Sequence, residues 1–164
     1  TLAIAPGGKR PQNRWPVERF SELARRWTDR GGVVLVIGGV SDAALAECIA
    51  ANTNPSACVR FCGTTTLVES IALLRRCRVL VANDSGPMHL AAAVGIPCVV
   101  AFSARDFPVK WFPRGEGHSV MRKDVECSPC LTEQCTHDNI CITQITVDEM
   151  WQALSLHFPT LSMA

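Results

Sequence analysis

Residues 84–89 bring a carboxylate, a hydroxyl, a glycine and an imidazole together in one short segment. They follow a β-branched apolar run and lead into an Ala-rich stretch, so the pattern predicts a strand, a tight turn and a helix. Such a turn points backbone N–H groups and the positive end of the helix dipole at one place, which suits a phosphate. We therefore predict an anion site formed by four residues: Asp84, Ser85, Gly86 and His89. Helix capping by the aspartate and the serine is the alternative.

A second candidate segment, residues 6–14, is rich in glycine, proline and positive charge and follows the first apolar run of the chain. Lys9, Arg10 and Arg14 could neutralise the same phosphates, lysine as a point charge and arginine as a two-pronged donor. A solvated basic loop is the alternative. The chain lacks both the Gly-x-x-x-x-Gly-Lys-Ser/Thr spacing and the Gly-x-Gly-x-x-Gly dinucleotide fingerprint. Two common nucleotide-binding signatures are therefore missing.

Two further turns are predicted at the same sheet edge. Thr65 and Thr66 belong to the turn at residues 63–66, where their hydroxyls could hold a ribose or a base. The alternative for Thr66 is helix capping, because residues 66–69 have the form of a capping box. Gly38-Gly39 would let a ligand approach closely, and an ordinary strand-to-helix turn explains the pair equally well.

Four of the nine cysteines lie close together late in the chain: Cys127, Cys130, Cys135 and Cys141. With His118 and His137 nearby, four thiolates could enclose zinc or an iron–sulfur cluster. There is one Cys-x-x-Cys pair where the usual structural zinc site has two, so disulfides and reduced thiols stay open. We predict no bound metal, with this cluster as the candidate if one is present. The other five cysteines lie in apolar stretches, where we expect buried, reduced thiols.

The elements that must position these groups follow from the hydrophobic pattern. Apolar, β-branched runs alternate with helical periodicity, which predicts βαβαβαβαβ over the first two thirds of the chain. Continuously apolar strands are typical of a parallel sheet that is covered on both faces. We predict a Rossmann-like α/β fold, a doubly wound parallel sheet in three α/β/α layers. Further elements are expected in this order: a short helix at 107–112, a sixth strand at 119–122, a cysteine-bearing loop at 124–143, and a closing helix at a second capping box, 146–149.

Length and composition restrict the function classes. The 164 residues suit one domain, and 48% hydrophobic and 19% charged residues are typical of a globular chain. A net charge of +1 gives no general attraction to nucleic acid or to an anionic membrane. No apolar run is long enough to span a bilayer and no secretory signal is visible, which predicts a soluble protein. Because the chain opens on a predicted strand, we expect it to be part of a longer polypeptide.

Residues 83–93, followed by Gly95-x-Pro97 and an apolar strand, resemble the Asp-Thr/Ser-Gly-x-x-His-Leu-Ala-Ala motif of family 9 glycosyltransferases. This family contains the bacterial lipopolysaccharide heptosyltransferases. The segment Arg14-Trp15-Pro16-x-x-Arg19-Phe20 is similar to the family's Lys-Arg-Trp-Pro stretch, and many members carry a comparable late cysteine run. The resemblance spans nearly the whole chain.

The resemblance implies a GT-B architecture, two Rossmann-like domains facing a cleft, of which residues 1–164 match the carboxyl-terminal, donor-binding half. It implies an inverting transfer of heptose from ADP-heptose to a lipopolysaccharide core acceptor, without a cofactor. The full-length protein would act in the cytoplasm, bound peripherally to the inner face of the inner membrane. The acceptor glycolipid and the general base would belong to the other half, so no catalytic residue is assigned here.

The resemblance also implies roles for individual residues. It places the diphosphate beside Ser85, Gly86 and His89. The sugar or phosphate side of the donor would lie at Asp84, and the nucleoside near Thr65 and Thr66. The family's lysine before Arg-Trp-Pro falls on Asn13, so Lys9 or Arg14 would take over its phosphate contact.

Two other functions stay open at this point. Similar half-domains build nucleotide-sugar epimerases, which need carboxylates and a histidine in the cleft, and only Asp84 and His89 are placed for that. The other is a metal-bearing, non-enzymatic binding module centred on the late cysteines, which elemental analysis would detect.

Overall fold

Six strands form a single parallel sheet in the computed structural model of the chain, which describes residues 1–158. The strands are β1 (Leu2–Ala5), β2 (Val34–Val36), β3 (Cys58–Arg60), β4 (Val79–Asn83), β5 (Cys98–Phe102) and β6 (Ser119–Arg122). Their order across the sheet is β3-β2-β1-β4-β5-β6, and every neighbouring pair is parallel. The chain winds outward in both directions from β1 and β4, which confirms the doubly wound fold and its sixth strand.

Helices cover both faces of the sheet. They are α1 (Val17–Thr28), α2 (Ala43–Ala51), α3 (Leu67–Leu74), α4 (Gly86–Ala93), α5 (Ile140–Thr143) and α6 (Val147–Ser155). Residues of α1, α2 and α6 belong to the apolar cluster on one face, and residues of α3 and α4 to the cluster on the other. This arrangement confirms the three layers. Within residues 1–158, no helix is both long enough and apolar enough to cross a bilayer.

Side-chain alternation along the strands divides the core into these two clusters. In β1, Leu2 and Ile4 belong to the α1 side, while Ala3 and Ala5 belong to the α3 side. All four are buried, as is every residue of β4 and β5. Burial on both faces explains why these strands are continuously apolar.

Two predicted capping boxes form as expected. The Thr66 hydroxyl accepts the N–H of Glu69 at 3.3 Å, while the Glu69 carboxylate accepts the N–H of Thr66 at 2.7 Å. Thr146 and Glu149 make the same reciprocal pair at 3.2 and 2.9 Å. Each box satisfies backbone groups that have no partner inside the helix. The starts of α3 and α6 are therefore determined locally.

Residues 107–112 form turns instead of a short helix, so that prediction is wrong. The carboxylate of Asp106 explains the difference. It accepts the N–H of Phe107 at 3.0 Å and the indole N–H of Trp111 at 3.0 Å, which competes with helical hydrogen bonding. Val109 has a φ of 70°, a value outside the right-handed helical region.

A buried asparagine joins the first loop to the sheet. Asn83, the last residue of β4, is fully buried, and its Nδ2 donates to the carbonyls of Pro6 at 2.7 Å and Gly7 at 3.1 Å. Its Oδ1 accepts the N–H of Trp15 at 2.9 Å, just before α1. Both ends of the basic loop, residues 6–14, are therefore held to the strand that leads into α4.

Candidate functional site

Two cavities open side by side where β1 and β4 end. These neighbouring strands lead to helices on opposite faces of the sheet, so the crevice between them is the switch point at which doubly wound folds bind ligands. One cavity, called here the large cavity, has a volume of about 720 Å³, and the other, the small cavity, about 260 Å³. Lys9, Ser85 and Gly86 line both, so the two cavities adjoin at these three residues, and this boundary is called here the passage.

The start of α4 faces this passage. Ser85 directly precedes the helix in an extended conformation, and no side chain caps it. The Ser85 hydroxyl donates instead to the carbonyl of Asn83 at 3.2 Å. A Cβ built on Gly86 would meet no atom within 4 Å. The capping alternative is therefore not observed, and the N–H groups of the first helical turn have no side-chain cap.

Positive charge at the passage comes from the loop after β1. Lys9 and Arg14 line the large cavity, and neither forms an ion pair with a carboxylate in residues 1–158. The Nε of Arg14 donates to the carbonyl of Gly8 at 2.8 Å, which orients its guanidinium. Arg10 is paired with Glu133. Of the three predicted cations, two thus keep a charge that no carboxylate neutralises.

Asp42 is a lining residue of the large cavity that the sequence analysis did not select. Its Oδ2 accepts the N–H of Gly39 at 2.9 Å. A Cβ on Gly7 would lie 2.3 Å from the carboxyl carbon of Asp42, and one on Gly38 would lie 2.7 Å from its Oδ2. Both glycines therefore make room for this carboxylate. The available signal was an acidic residue soon after β2, where nucleotide-binding folds of this type place a ribose-binding carboxylate.

Of the remaining predicted residues, one enters the large cavity and two do not. Thr65 lines it, and its hydroxyl lies 2.9 Å from that of Ser70. Thr66 is exposed, and its hydroxyl donates to Glu69 at 2.8 Å within the capping box. His89 is exposed on α4, and neither it nor Thr66 lines the large or the small cavity.

Asp84 lies in the small cavity, beyond the passage. Its Oδ2 accepts the Nδ2–H of Asn13 at 3.2 Å, and the hydroxyl of Ser103 donates to the Oδ1 of Asn13 at 2.7 Å. Burial raises the pKa of Asp84, and the positive charge of His89 opposes that rise. Where the family resemblance expects a lysine, the chain therefore has a buried amide that orients Asp84.

The late cysteine segment braces the basic loop. Cys135 Sγ accepts two backbone N–H groups at 3.3 and 3.4 Å, and the segment ends in α5, where only a loop was predicted. The middle of the segment contacts the first loop, because Gln12 Nε2 donates to the carbonyl of Glu133 at 2.7 Å. Within residues 1–158, no group of three or more Cys, His, Asp and Glu side chains is arranged to hold a metal ion.

All nine cysteines are free thiols, and the five scattered ones are embedded in the fold. Cys58, Cys77 and Cys98 are buried, whereas Cys48 and Cys62 are half-buried. Burial raises the pKa of Cys98 to about 12 and, together with the nearby charge of Asp42, that of Cys62 to about 11. Because the thiolate is the reactive form, Cys98 and Cys62 stay protonated and inert at neutral pH.

Together, the strand order, the crevice at the switch point and the uncapped helix start beside a basic loop define a Rossmann-like α/β domain with its ligand site at the carboxyl edge of the sheet. The sequence model of Glycosyltransferase family 9 (heptosyltransferase) matches residues 1–141. The chain belongs to this family, which confirms the resemblance seen in its sequence.

Three matches, one in sequence and two in structure, illustrate the relationship. The chain is similar to lipopolysaccharide heptosyltransferase 2 of Escherichia coli strain K12, with 38% identity over 112 residues, 65% of this chain and 32% of the relative. It is similar in structure to E. coli ADP-heptose lipopolysaccharide heptosyltransferase II, with a TM-score of 0.82 and 26% identity. That match covers 98% of this chain and 47% of the other. An E. coli heptosyltransferase solved with ADP-2-deoxy-2-fluoro heptose shares the fold, with a TM-score of 0.74 and 18% identity. That match covers 94% of this chain and 42% of the other. The chain thus spans less than half the length of each.

Proposed function

We propose that this chain is the donor-binding part of a heptosyltransferase, a single domain over residues 1–164 that binds ADP-heptose. Family membership supports the transferase class, and the relative solved with an ADP-linked fluoroheptose supports the donor class. The observation that carries the proposal is the pair of adjoining cavities at the switch point, one large and one small. A donor made of a nucleoside, a diphosphate and a sugar would place its two ends in the two cavities and its diphosphate at the passage between them.

In this proposal the diphosphate lies at the passage between the cavities. The N–H groups around Ser85 and Gly86 and the positive end of α4 attract its oxygens. Lys9 and Arg14 supply positive charge from the loop after β1. His89, in the same helix, adds a further hydrogen-bond donor near Asp84. It is close enough to Asp84 to oppose the rise in the pKa of that carboxyl.

The nucleoside occupies the large cavity and the sugar the small one. Ile37 and Leu90 give the large cavity apolar surface for a base, and Asp42 and Thr65 present oxygens to a ribose. On the sugar side, Asp84 is oriented by its hydrogen bond from Asn13, as described above.

The chemistry required of this domain is stabilisation of the departing ADP. Its diphosphate gains negative charge as the glycosidic bond breaks, and preorganised N–H dipoles and cations stabilise that charge. We assign the general base and the lipopolysaccharide acceptor site to the amino-terminal part of a longer protein, acting by inversion at the cytoplasmic face of the inner membrane. The chain alone is then expected to bind donor and transfer nothing, and transfer by it without a partner domain would contradict this assignment.

The proposal predicts that the chain binds ADP in calorimetric titration and that Asp42 holds the ribose. Replacing Asp42 with alanine should weaken ADP binding about tenfold, which is the usual contribution of a hydrogen bond to a charged group. The parent should prefer ADP to 2′-deoxy-ADP, and the variant should bind the two alike.

Three further titrations complete this test. UDP and GDP examine the base, and absence of binding by ADP, UDP and GDP alike would contradict donor binding. His89→Ala removes a donor near the diphosphate and should weaken ADP binding. An unchanged affinity would exclude His89 from the site without affecting the rest of the proposal.

Asp84 should make ADP binding depend on pH. Burial already raises the pKa of Asp84, and an adjacent diphosphate raises it further because like charges repel. ADP binding therefore favours the protonated carboxyl, and affinity should rise as the pH falls from about 8 to about 5. The variant Asp84→Asn should bind ADP at least as tightly as the parent at the higher pH and show a flatter profile. The titration of ADP itself is common to both proteins, so identical profiles would contradict this prediction.

A further inference from the structure

Two aromatic side chains stand exposed at the wall of the small cavity. Phe107 is 55% exposed and Trp111 is 48% exposed, and both line this cavity. Two other tryptophans, Trp15 and Trp27, are 1% and 5% exposed and belong to the core. Large aromatic surface beside a polar cavity is typical of a binding site.

The loop that carries these rings is held in one arrangement. Asp106 accepts hydrogen bonds from the indole N–H of Trp111 at 3.0 Å and from the ammonium group of Lys110 at 3.1 Å. The same carboxylate accepts the backbone N–H of Phe107 at 3.0 Å. The indole N–H is thus already satisfied by the protein. The Lys110 ammonium lies over one face of the ring, 5.4 Å from its centroid, so a ligand would stack on the other face. A face held in this way can contact a ligand without a large loss of side-chain entropy.

Apart from Phe102, the remaining wall of the small cavity is polar or charged, and its charged side chains include Arg105 and Arg122. Asn13, Asp84 and Ser103 form a hydrogen-bonded chain there, and the cavity measures about 260 Å³, smaller than the usual pocket for a drug-sized ligand. A sugar ring combines an apolar face of C–H groups with a hydroxyl-bearing edge. It therefore matches both kinds of wall.

We propose that Trp111, supported by Phe107, is the stacking platform for the glycosyl ring of the donor. The inference rests on the proposed function, because it takes the diphosphate to lie at the passage. Lys9, Ser85 and Gly86 line both cavities, so a group attached beyond the second phosphate enters the small cavity beside these rings. Contact with the two rings would then make the affinity for ADP-heptose higher than that for ADP.

Calorimetric titration of the chain with ADP and with ADP-heptose tests this inference. The parent should bind ADP-heptose more tightly than ADP. Trp111→Ala should lower the affinity for ADP-heptose about tenfold, which an aromatic contact of 1.4 kcal/mol would produce, and change that for ADP by less than about twofold. Trp111→Phe retains an aromatic face and should keep most of the preference. Val68→Ala, at an exposed position on α3 outside both cavities, should change neither affinity.

Tryptophan fluorescence gives an independent readout. Trp15 and Trp27 are buried and Trp151 is half-buried, so the difference in iodide quenching between the parent and Trp111→Ala isolates the signal of Trp111. ADP-heptose should reduce this difference, whereas ADP should not. An ADP-heptose preference that survives in Trp111→Ala, or one missing from the parent, would overturn the stacking platform while ADP binding stands. A parent that binds neither ligand would instead overturn the proposed function. Retained ADP affinity in Trp111→Ala shows that the variant is folded.

Discussion

Replacing Gly86 with valine should abolish tight ADP binding while leaving the domain folded. Gly86 is the exposed first residue of α4, and a Cβ there would meet no atom within 4 Å, so an added side chain begins in open space in the free protein. The free energy of unfolding should change by less than about 1 kcal/mol, because the helix propensities of glycine and valine differ little. The isopropyl group would occupy the space proposed for the diphosphate. Loss of two charge-assisted hydrogen bonds corresponds to about 100-fold or more in affinity.

Urea denaturation and calorimetric titration with ADP measure the two quantities separately. Gly95→Ala is the matched control, since a Cβ at Gly95 also meets no atom within 4 Å but the residue has a φ of 76°. A side chain is strained in that conformation, so this variant should lose on the order of 1 kcal/mol of stability and keep the ADP affinity of the parent. ADP affinity equal to the parent's in Gly86→Val would show that the diphosphate lies elsewhere.

Replacing Asn83 with aspartate should have the largest effect on stability. Asn83 is fully buried and donates to the carbonyls of Pro6 and Gly7 while accepting the N–H of Trp15. An ionised aspartate cannot donate and would face two carbonyl oxygens with an uncompensated charge. We expect a loss of about 3 to 5 kcal/mol in the free energy of unfolding at neutral pH, measured by urea denaturation.

Acidification should reduce this loss. Burial would raise the pKa of the introduced carboxyl in the folded state above its unfolded value, so folding favours the protonated form. The deficit relative to the parent should be complete above the folded-state pKa and shrink as the pH falls toward the unfolded value of about 3.9. Asn54→Asp is the control, because exposed Asn54 accepts the N–H of Ser56 through an oxygen that aspartate retains. A deficit in Asn83→Asp that does not change with pH would contradict buried ionisation as its cause.

The fold could be predicted because its signals are local. Strands covered on both faces are continuously apolar, and the capping boxes of α3 and α6 each lie within four residues. The turn at 107–112 could not be predicted in this way, since the Asp106 carboxylate competes with the backbone only once Trp111 has folded back onto it. A hydrogen bond from a side chain that competes with helix formation leaves no signal in the hydrophobic periodicity of the sequence.

The site was predictable where a residue lies in the turn or loop that follows a strand. Ser85 and Gly86 come after β4 and Lys9 after β1, and neighbouring parallel strands deliver all three to one edge. Asp42 could not be selected with the same ease, because its place in the crevice depends on two glycines, Gly7 and Gly38, that leave space for its carboxylate. Gly7 is far from Asp42 in the sequence, so this packing shows only in the folded structure.

The anchoring of the basic loop by Asn83 also affects how a ligand would bind. A loop rich in glycine that was free in solution would lose conformational entropy each time it closed on a phosphate. Here the carbonyls of Pro6 and Gly7 and the N–H of Trp15 are tied to a core side chain when the domain folds. The entropy of ordering the loop is therefore lost once, during folding. Binding then starts from a rigid cradle, and a greater share of the contact energy appears as affinity.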